Sequence, residues 1–314
     1  MIIAVDHGNA QIKTVHTCFP AGVQEHLVKP PMATDVIEHK GKIWTLIGKR
    51  IPFMRDKTQD ERYFILTLFA ICKELEARRE YSREPNIDLA IGLPPEHYGA
   101  LKEKFAGYFR RDDEIRFTCN DSAYRLRISN IFVYPQAYAA VATRSTELMK
   151  TSRTFVIDVG GYTTDILMLR HGKPDLEFCR SLNAGVIPMT NQIAGKVNAL
   201  HDLTVDEQHI AEVLAGSNDI LPEDVQATIR QEVEMYAVNM LNRLRELEVD
   251  LRANPAVFTG GGAIMLKPYL EKSPLVGKKE FMQETKANAM GYELLASAHL
   301  RRLAMNGGMG LENA

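Results

Sequence analysis

Two segments of this chain repeat one another at long range. Ile2-Ile3-Ala4-Val5 runs into Asp6-His7-Gly8-Asn9 and then into Ile12-Lys13-Thr14-Val15-His16. Phe155-Val156-Ile157 runs into Asp158-Val159-Gly160-Gly161 and then into Thr164-Asp165-Ile166-Leu167-Met168-Leu169. Each is a short apolar strand, an Asp-x-Gly turn and a second strand, and the two lie about 150 residues apart. A duplicated hairpin of this kind opens two similar domains. The expected fold class is therefore α/β, with two related domains of mixed sheet plus helices, and 314 residues suffice for two separate cores.

The rest of the chain fills in around the hairpins. Val36 to Trp44 reads as a second kind of hairpin, turning at Lys40-Gly41. Residues 61–78 place Phe64, Ile65, Leu68, Phe69, Ile71, Cys72 and Leu75 on one helical face. A strand over Asp88–Leu93 stops at Pro94-Pro95. Strands at 115–118, 124–128 and 131–134 lead to Pro135-Gln136 and a small-residue helix over 137–142. Helices are expected at 187–200, 204–215, 222–247 and about 286–303, with the strand Ala256–Phe258 and the run Gly260-Gly261-Gly262 before the last. No proline-rich linker separates the halves. The expected domains are 1–148 with 287–314, and 149–286, joined by crossing helices.

The glycine-bearing turns carry the chemistry. Gly8 lets backbone amides approach phosphate oxygens that a Cβ would obstruct. Asn9 can donate a hydrogen bond, Lys13 supplies a point charge, and Asp6 can hold Mg²⁺ through water. At the second turn Gly160, Gly161, Tyr162 and Thr163 follow Asp158, with a further carboxylate at Asp165. Two such hairpins facing each other would clamp a nucleoside triphosphate, and phosphoryl transfer needs mainly positioning and charge neutralisation. Gly260, Gly261 and Gly262 end a strand before a helix and suit close approach to a ribose, a base or the α-phosphate. No Gly-Lys-Ser/Thr follows, so this is not a Walker A loop.

Composition removes several other classes. The formal net charge is −2, without the basic stripe of a direct nucleic-acid binder. Cys18, Cys72, Cys119 and Cys179 lack close spacing, which argues against a zinc site and for small buried thiols in a reducing compartment. No apolar run reaches spanning length, and Asp6 comes too early for a secretory leader. A cytoplasmic protein without a membrane partner is expected.

Asp-x-Gly near the start, Asp-x-Gly-Gly-x-Thr in mid-chain and a late Gly-Gly-Gly resemble the ordered nucleotide-cleft motifs of the actin, Hsp70 and sugar-kinase superfamily. Within it the chain is similar to the ParM/StbA-like bacterial actins that segregate plasmids, through Asp6-His7-Gly8-Asn9 with Lys13, Asp56-Lys57-Thr58, Glu61-Arg62-Tyr63 and Tyr134-Pro135-Gln136-Ala137. The resemblance implies an actin-like ATPase fold that binds ATP and Mg²⁺ in a cleft between its domains. Asp6 and Asp158 become the magnesium-side carboxylates. Gly8, Asn9 and Lys13 form the first phosphate loop, and Gly160, Gly161, Tyr162 and Thr163 the second. Gly260, Gly261 and Gly262 become the nucleoside loop, and Gln136 the residue that orients attacking water. It also implies slow ATP hydrolysis coupled to self-assembly into filaments, with plasmid DNA held through a separate adaptor of ParR type rather than directly. Gly291 matches a small residue where two connecting helices cross, and the helix 204–215, with Glu207 and Glu212, is where base contacts would be sought. A small-molecule (sugar-type) kinase of the same superfamily and a chromosomal bacterial actin with a cytoskeletal role are the alternatives. Gln136 in place of an Asp base, and the scattered cysteines, argue against the kinase.

Overall fold

The computed structural model describes residues 1–111 and 113–308. The chain divides into two compact units, residues 1–143 with the segment from Lys286 onward, and residues 144–285. Residues 309–314 of the C-terminal segment lie outside the described residues.

The first unit begins with β1 (Ile2–His7), β2 (Gln11–Lys13), β3 (Cys18–Pro20), β4 (Val23–His26), β5 (Val36–His39) and β6 (Lys42–Leu46). Then come α1 (Arg62–Ala77), β7 (Asn86–Leu93), α2 (Pro95–Phe109), β8 (Ile115–Cys119) and β9 (Ser122–Pro135). The strands form one sheet in the order β3-β2-β1-β7-β9-β8-β5-β6-β4. Tyr63 to Ile71 of α1 are buried without a break and join Ile3, Val5, Leu89 and Ile91 in the core. A helix this apolar on most of its circumference must be covered by sheet and loops alike.

The second unit holds α3 (Ser145–Leu148), β10 (Arg153–Val159), β11 (Thr164–Arg170), β12 (Lys173–Leu182), α4 (Val186–His201), α5 (Glu207–Ala215) and α6 (Glu223–Glu246). It closes with β13 (Ala256–Thr259), α7 (Gly261–Lys272) and β14 (Lys279–Phe281), after which α8 (Ala287–Gly308) returns to the first unit. Its sheet runs β12-β11-β10-β13-β14. In that sheet β10 pairs antiparallel with β11 and parallel with β13. In the first unit β1 pairs antiparallel with β2 and parallel with β7 in the same way. The long-range repeat in the sequence is thus a repeated sheet topology.

Two local expectations change. The strands expected at 124–128 and 131–134 are one 14-residue strand, β9, because its first half pairs antiparallel with β8 and its second half parallel with β7. The expected helix over 137–142 is a series of turns ending in a 3₁₀ turn at Ala142–Arg144. Ala137 takes the left-handed region at φ 61°, and its N–H donates to Asn288 Oδ1 of α8. The backbone of α8 comes so close here that a Cβ on Gly291 would lie 1.8 Å from the Ala139 carbonyl oxygen. Small residues at 137–142 therefore make room for a helix rather than form one.

Candidate functional site

The two hairpins share their geometry. In the first, Asp6 stands opposite Lys13 and His7 opposite Ile12, leaving residues 8–11 as the loop. In the second, Asp158 stands opposite Asp165 and Val159 opposite Thr164, leaving residues 160–163. Both loops therefore have four residues, and Asp6 and Asp158 occupy the same place in each. The carboxylates are buried, Asp6 at 6% and Asp158 at 7% exposure.

Side chains hold the first loop. Gly8 is required by the turn itself, since a Cβ would lie 2.5 Å from the Gln11 carbonyl oxygen. Gln136, just past β9, donates from Nε2 to Asp6 Oδ1 at 3.0 Å, while its own N–H bonds the Leu93 carbonyl at 2.8 Å. The sheet order therefore brings together two residues 130 positions apart that the sequence marked for one site. One end of the Asn9 amide, Oδ1, is buried without a partner. Lys13 lies in β2, beside Asp6 on the same face of the hairpin. His7 is fully buried among Tyr63, Phe105 and Phe109 and bonds Thr67 Oγ1 through Nε2 at 2.7 Å. Thr67 donates its own proton to the Tyr63 carbonyl, so His7 Nε2 carries the proton and the ring is neutral. Burial first, and the nearby Lys57 ammonium second, lower its pKa to about 3.

Lys57 was given no role by sequence reasoning. Its ammonium donates to the carbonyl of His7, the residue before Gly8, and stands 5.2 Å from the centre of the Tyr63 ring. Asp56 beside it accepts from Thr58 and Lys104, and these bonds outweigh desolvation and hold its carboxyl at about 2. Nothing in residue spacing signals the Lys57 contact, because it spans 50 positions. Below the loop, Glu74 accepts from Thr14 Oγ1 (2.5 Å), His16 Nδ1 (2.7 Å) and Arg78 Nε (2.7 Å). Its side chain is wholly buried, and desolvation is outweighed by these hydrogen bonds, so its pKa is lowered. Arg78 continues to the Ile2 carbonyl and to Glu293 of α8.

Backbone holds the second loop. Gly160 N–H bonds the Thr163 carbonyl, Gly185 N–H the Tyr162 carbonyl, and Val186 and Ile187 N–H the carbonyls of Gly160 and Gly161. The first amides of α4 are thereby tied to the loop, which satisfies donors that a helix start leaves open. Gly185 is needed there, since a Cβ would lie 2.5 Å from the Tyr162 carbonyl carbon. Tyr236 donates to the Gly185 carbonyl at 3.1 Å, and burial pushes its phenol up to about 12. Asp165 accepts from Ser181 Oγ at 2.6 Å and Thr163 Oγ1 at 3.3 Å.

The three glycines at 260–262 differ in kind. Gly260 has φ 91°, and a Cβ on it would lie 2.5 Å from Asp158 Oδ1. Gly262 packs against Val159 and Val186 with no room for a methyl. A Cβ on Gly261 would meet nothing within 4 Å beyond its own helix and chain neighbours, so packing does not explain it. A cavity of 510 Å³ lies between α4 and α6, with Gln192, Tyr236, Met240 and Arg243 in its wall and no residue of α5. Glu212 of α5 instead holds Gln208 and Asn218.

In each unit a buried aspartate at the hairpin loop, Asp6 in one and Asp158 in the other, has the chemistry to hold a hydrated divalent cation through water. Among the described residues no group of three or more His, Cys, Asp or Glu could cage a metal directly. Magnesium does not need such a cage, because it keeps several waters.

The family model described as actin-like proteins, N-terminal domain, matches residues 4–138. The model for the C-terminal region of the archaeal actin homologue MreB-like matches residues 156–272. A search of curated sequences finds no match. Among solved structures, an archaeal actin homolog superposes with a TM-score of 0.75 at 18% identity, over 95% of this chain and 99% of its own. A ParM from a 15-stranded filament of Clostridium botulinum gives 0.73 at 20% identity, over 95% and 99%. Bacillus thuringiensis ParM with ATP gives 0.65 at 11% identity, over 96% and 99%. At such identities the likeness carries the fold: this is an actin-like fold of two mixed-sheet domains with helices. The chain shares this fold with solved ParM proteins. No helix among the described residues is long and apolar enough to cross a membrane.

Proposed function

We propose that the chain is an ATP-driven filament protein whose two hairpin loops bind the phosphates of ATP with Mg²⁺, and that its filaments move DNA through a separate ParR-type adaptor in the cytoplasm. The observation that carries the ATPase reading is the 3.0 Å bond from the Gln136 amide to Asp6, both buried and both at the first loop. Support for self-assembly comes from the relatives solved as filaments, the Clostridium botulinum ParM and Alp12. Support for a nucleotide comes from relatives solved with ATP, and from the archaeal homolog solved with ADP.

In this reading Gly8, Asn9 and Lys13 meet phosphate oxygens from one loop, and Gly160, Gly161, Tyr162 and Thr163 from the other. Gly260, Gly261 and Gly262 meet the nucleoside. Asp6 and Asp158 hold the waters of the ion, whose charge offsets that of the phosphates. The Gln136 amide, fixed by Asp6 on its donor side, keeps its carbonyl to orient water. An amide cannot take the proton of that water efficiently, which suits slow hydrolysis used as a timer. The match to an archaeal MreB-like domain favours one alternative, a chromosomal cytoskeletal actin.

The test joins phosphate release with light scattering after a limiting pulse of ATP and Mg²⁺. Wild type is expected to assemble and decay, and Gln136→Ala to assemble and persist with at least tenfold slower phosphate release. Asp158→Ala is expected to need more magnesium for the same turnover. Phosphate release from Gln136→Ala at the wild-type rate would remove Gln136 from the mechanism. Absence of scattering from wild type across protein and salt concentrations would defeat the filament reading. Retention of an adaptor encoded beside the gene separates DNA segregation from a cytoskeletal role.

A further inference from the structure

The four cysteines are scattered in sequence, and Cys18 is exposed rather than buried as composition suggested. The fold nevertheless brings two of them together. Cys72 lies on α1 and Cys119 ends β8, and both line one cavity of 220 Å³ in the first unit. Both also belong to the buried core cluster of the first unit. Each residue is only 7% exposed, so a reagent reaches the pair through the cavity. Lys73, Arg83, Asp35 and Tyr124 also line it. Lys73 pairs with Asp35 at 2.5 Å. Arg83 stacks on the Tyr124 ring, 4.7 Å from its centre, and donates to its hydroxyl.

We propose that Cys72 and Cys119 are a reversible oxidation site, a vicinal dithiol in space that a peroxide converts into a disulfide joining α1 to β8. The neighbouring Cys72 thiol, with Lys73 and Arg83 beside it, holds the Cys119 thiol below its usual range against burial and the Asp35 charge, while Cys72 is raised. The thiolate is the reactive form, so Cys119 attacks and Cys72 resolves. Cys119 sulfur attacks one oxygen of hydrogen peroxide, the O–O bond breaks, and the departing hydroxide takes up a proton to leave as water. Cys119 is then a sulfenic acid. Cys72 attacks that sulfur, the S–O bond breaks, and the departing hydroxide takes the Cys72 proton to leave as a second water. Two thiols and one peroxide give one disulfide and two waters, with one electron lost by each sulfur. A thiol reductant reverses the change. The inference does not depend on the nucleotide reading, because neither sulfur belongs to the hairpin loops.

The experiment uses the full-length reduced protein, treated with hydrogen peroxide, unfolded in an alkylating agent and mapped by mass spectrometry. The expected product is a linked peptide pair holding Cys72 and Cys119, lighter by two hydrogens and released by dithiothreitol, with Cys18 and Cys179 alkylated. In Cys72→Ser the sulfenic acid has no resolving thiol, and capture of Cys119 by a cyclic dione should rise several-fold over wild type. Full alkylation of Cys72 and Cys119 after peroxide would overturn the proposal, as would a link from Cys119 to Cys18, or absence of dione capture in a folded Cys72→Ser. If that variant does not fold, the wild-type map decides alone.

Discussion

The hairpins β1–β2 and β10–β11 have the same loop length and the same aspartate, and they are held in opposite ways. The first has opposite charges facing across its strands, Asp6 and Lys13, and is fastened by side chains: Gln136, Lys57, His7 and, beneath them, Glu74. The second has like charges facing across its strands, Asp158 and Asp165, and is fastened by backbone bonds to the start of α4. Opposite charges directly across a ladder stabilise it and like charges destabilise it. A pair of buried, facing carboxylates is therefore the more demanding arrangement, and one that a bound cation would relieve. The same turn can thus be supported by long-range side chains or by local glycine backbone. The two kinds of support fail differently.

The largest expected loss comes from the side-chain support of the first unit. Glu74→Ala leaves Arg78 and Thr14 facing a buried gap, and breaking a buried pair of this kind costs about 3–5 kcal/mol. Urea unfolding should register it as a lower midpoint at unchanged slope. A loss near zero would mean that the first hairpin does not depend on that network. On the backbone-held side, Gly260→Ala combines a left-handed φ with overlap on Asp158, so it should cost upwards of about 2 kcal/mol. Gly261→Ala, in open space, should stay within about 0.5 kcal/mol. In the proposed function Gly261→Ala should nevertheless weaken ATP binding, read by nucleotide titration. Equal effects of the two substitutions on stability would erase the distinction drawn among the three glycines.

The first hairpin should also carry an acid sensitivity that the second lacks. His7 is held neutral with a folded pKa of about 3, below the ordinary histidine value of 6.5, so between those values the unfolded chain binds more protons. Stability is then fully present above pH 6.5 and declines as pH falls toward 3. Between pH 7 and pH 5 the His7 contribution should fall by about 2 kcal/mol. His7→Gln should flatten that part of the stability curve. A variant with the wild-type slope would show that other groups set it. The smallest effect tests the charge contrast itself. Asp165→Asn removes one of two facing carboxylates and should stabilise the nucleotide-free protein by about 0.2–1 kcal/mol. It should also shift magnesium-dependent turnover to higher magnesium. Destabilisation instead would mean that the Ser181 and Thr163 bonds outweigh the repulsion.

Much of this was legible in the chain. Asp6, Gly8, Asp158 and Gly160 announced the hairpins because a strand–turn–strand unit is local, and its residue types follow from sterics within four positions. The helices α4, α5 and α6 were placed to within three residues of their observed ends, since apolar periodicity is also local. The misreadings share one cause. Alanines 137, 139, 140 and 142 have high helix propensity, yet the passage of α8 at Gly291 decides their conformation. Lys57 reaching His7, and Glu74 gathering Thr14, His16 and Arg78, join positions whose spacing has no period.

The sequence alone determined that two similar mixed-sheet domains would form and that each would open with an aspartate beside a glycine turn. Those properties depend on strand periodicity and on where a Cβ is tolerated. Only the tertiary structure decided that Gln136 bonds Asp6, that Lys57 caps the first loop, that α4 is tied to the second, and that Cys72 and Cys119 line one cavity. These contacts arise where strands and helices distant in the chain are packed side by side. Their free energy comes from excluding water around both partners at once, and neither partner's sequence neighbourhood records the other.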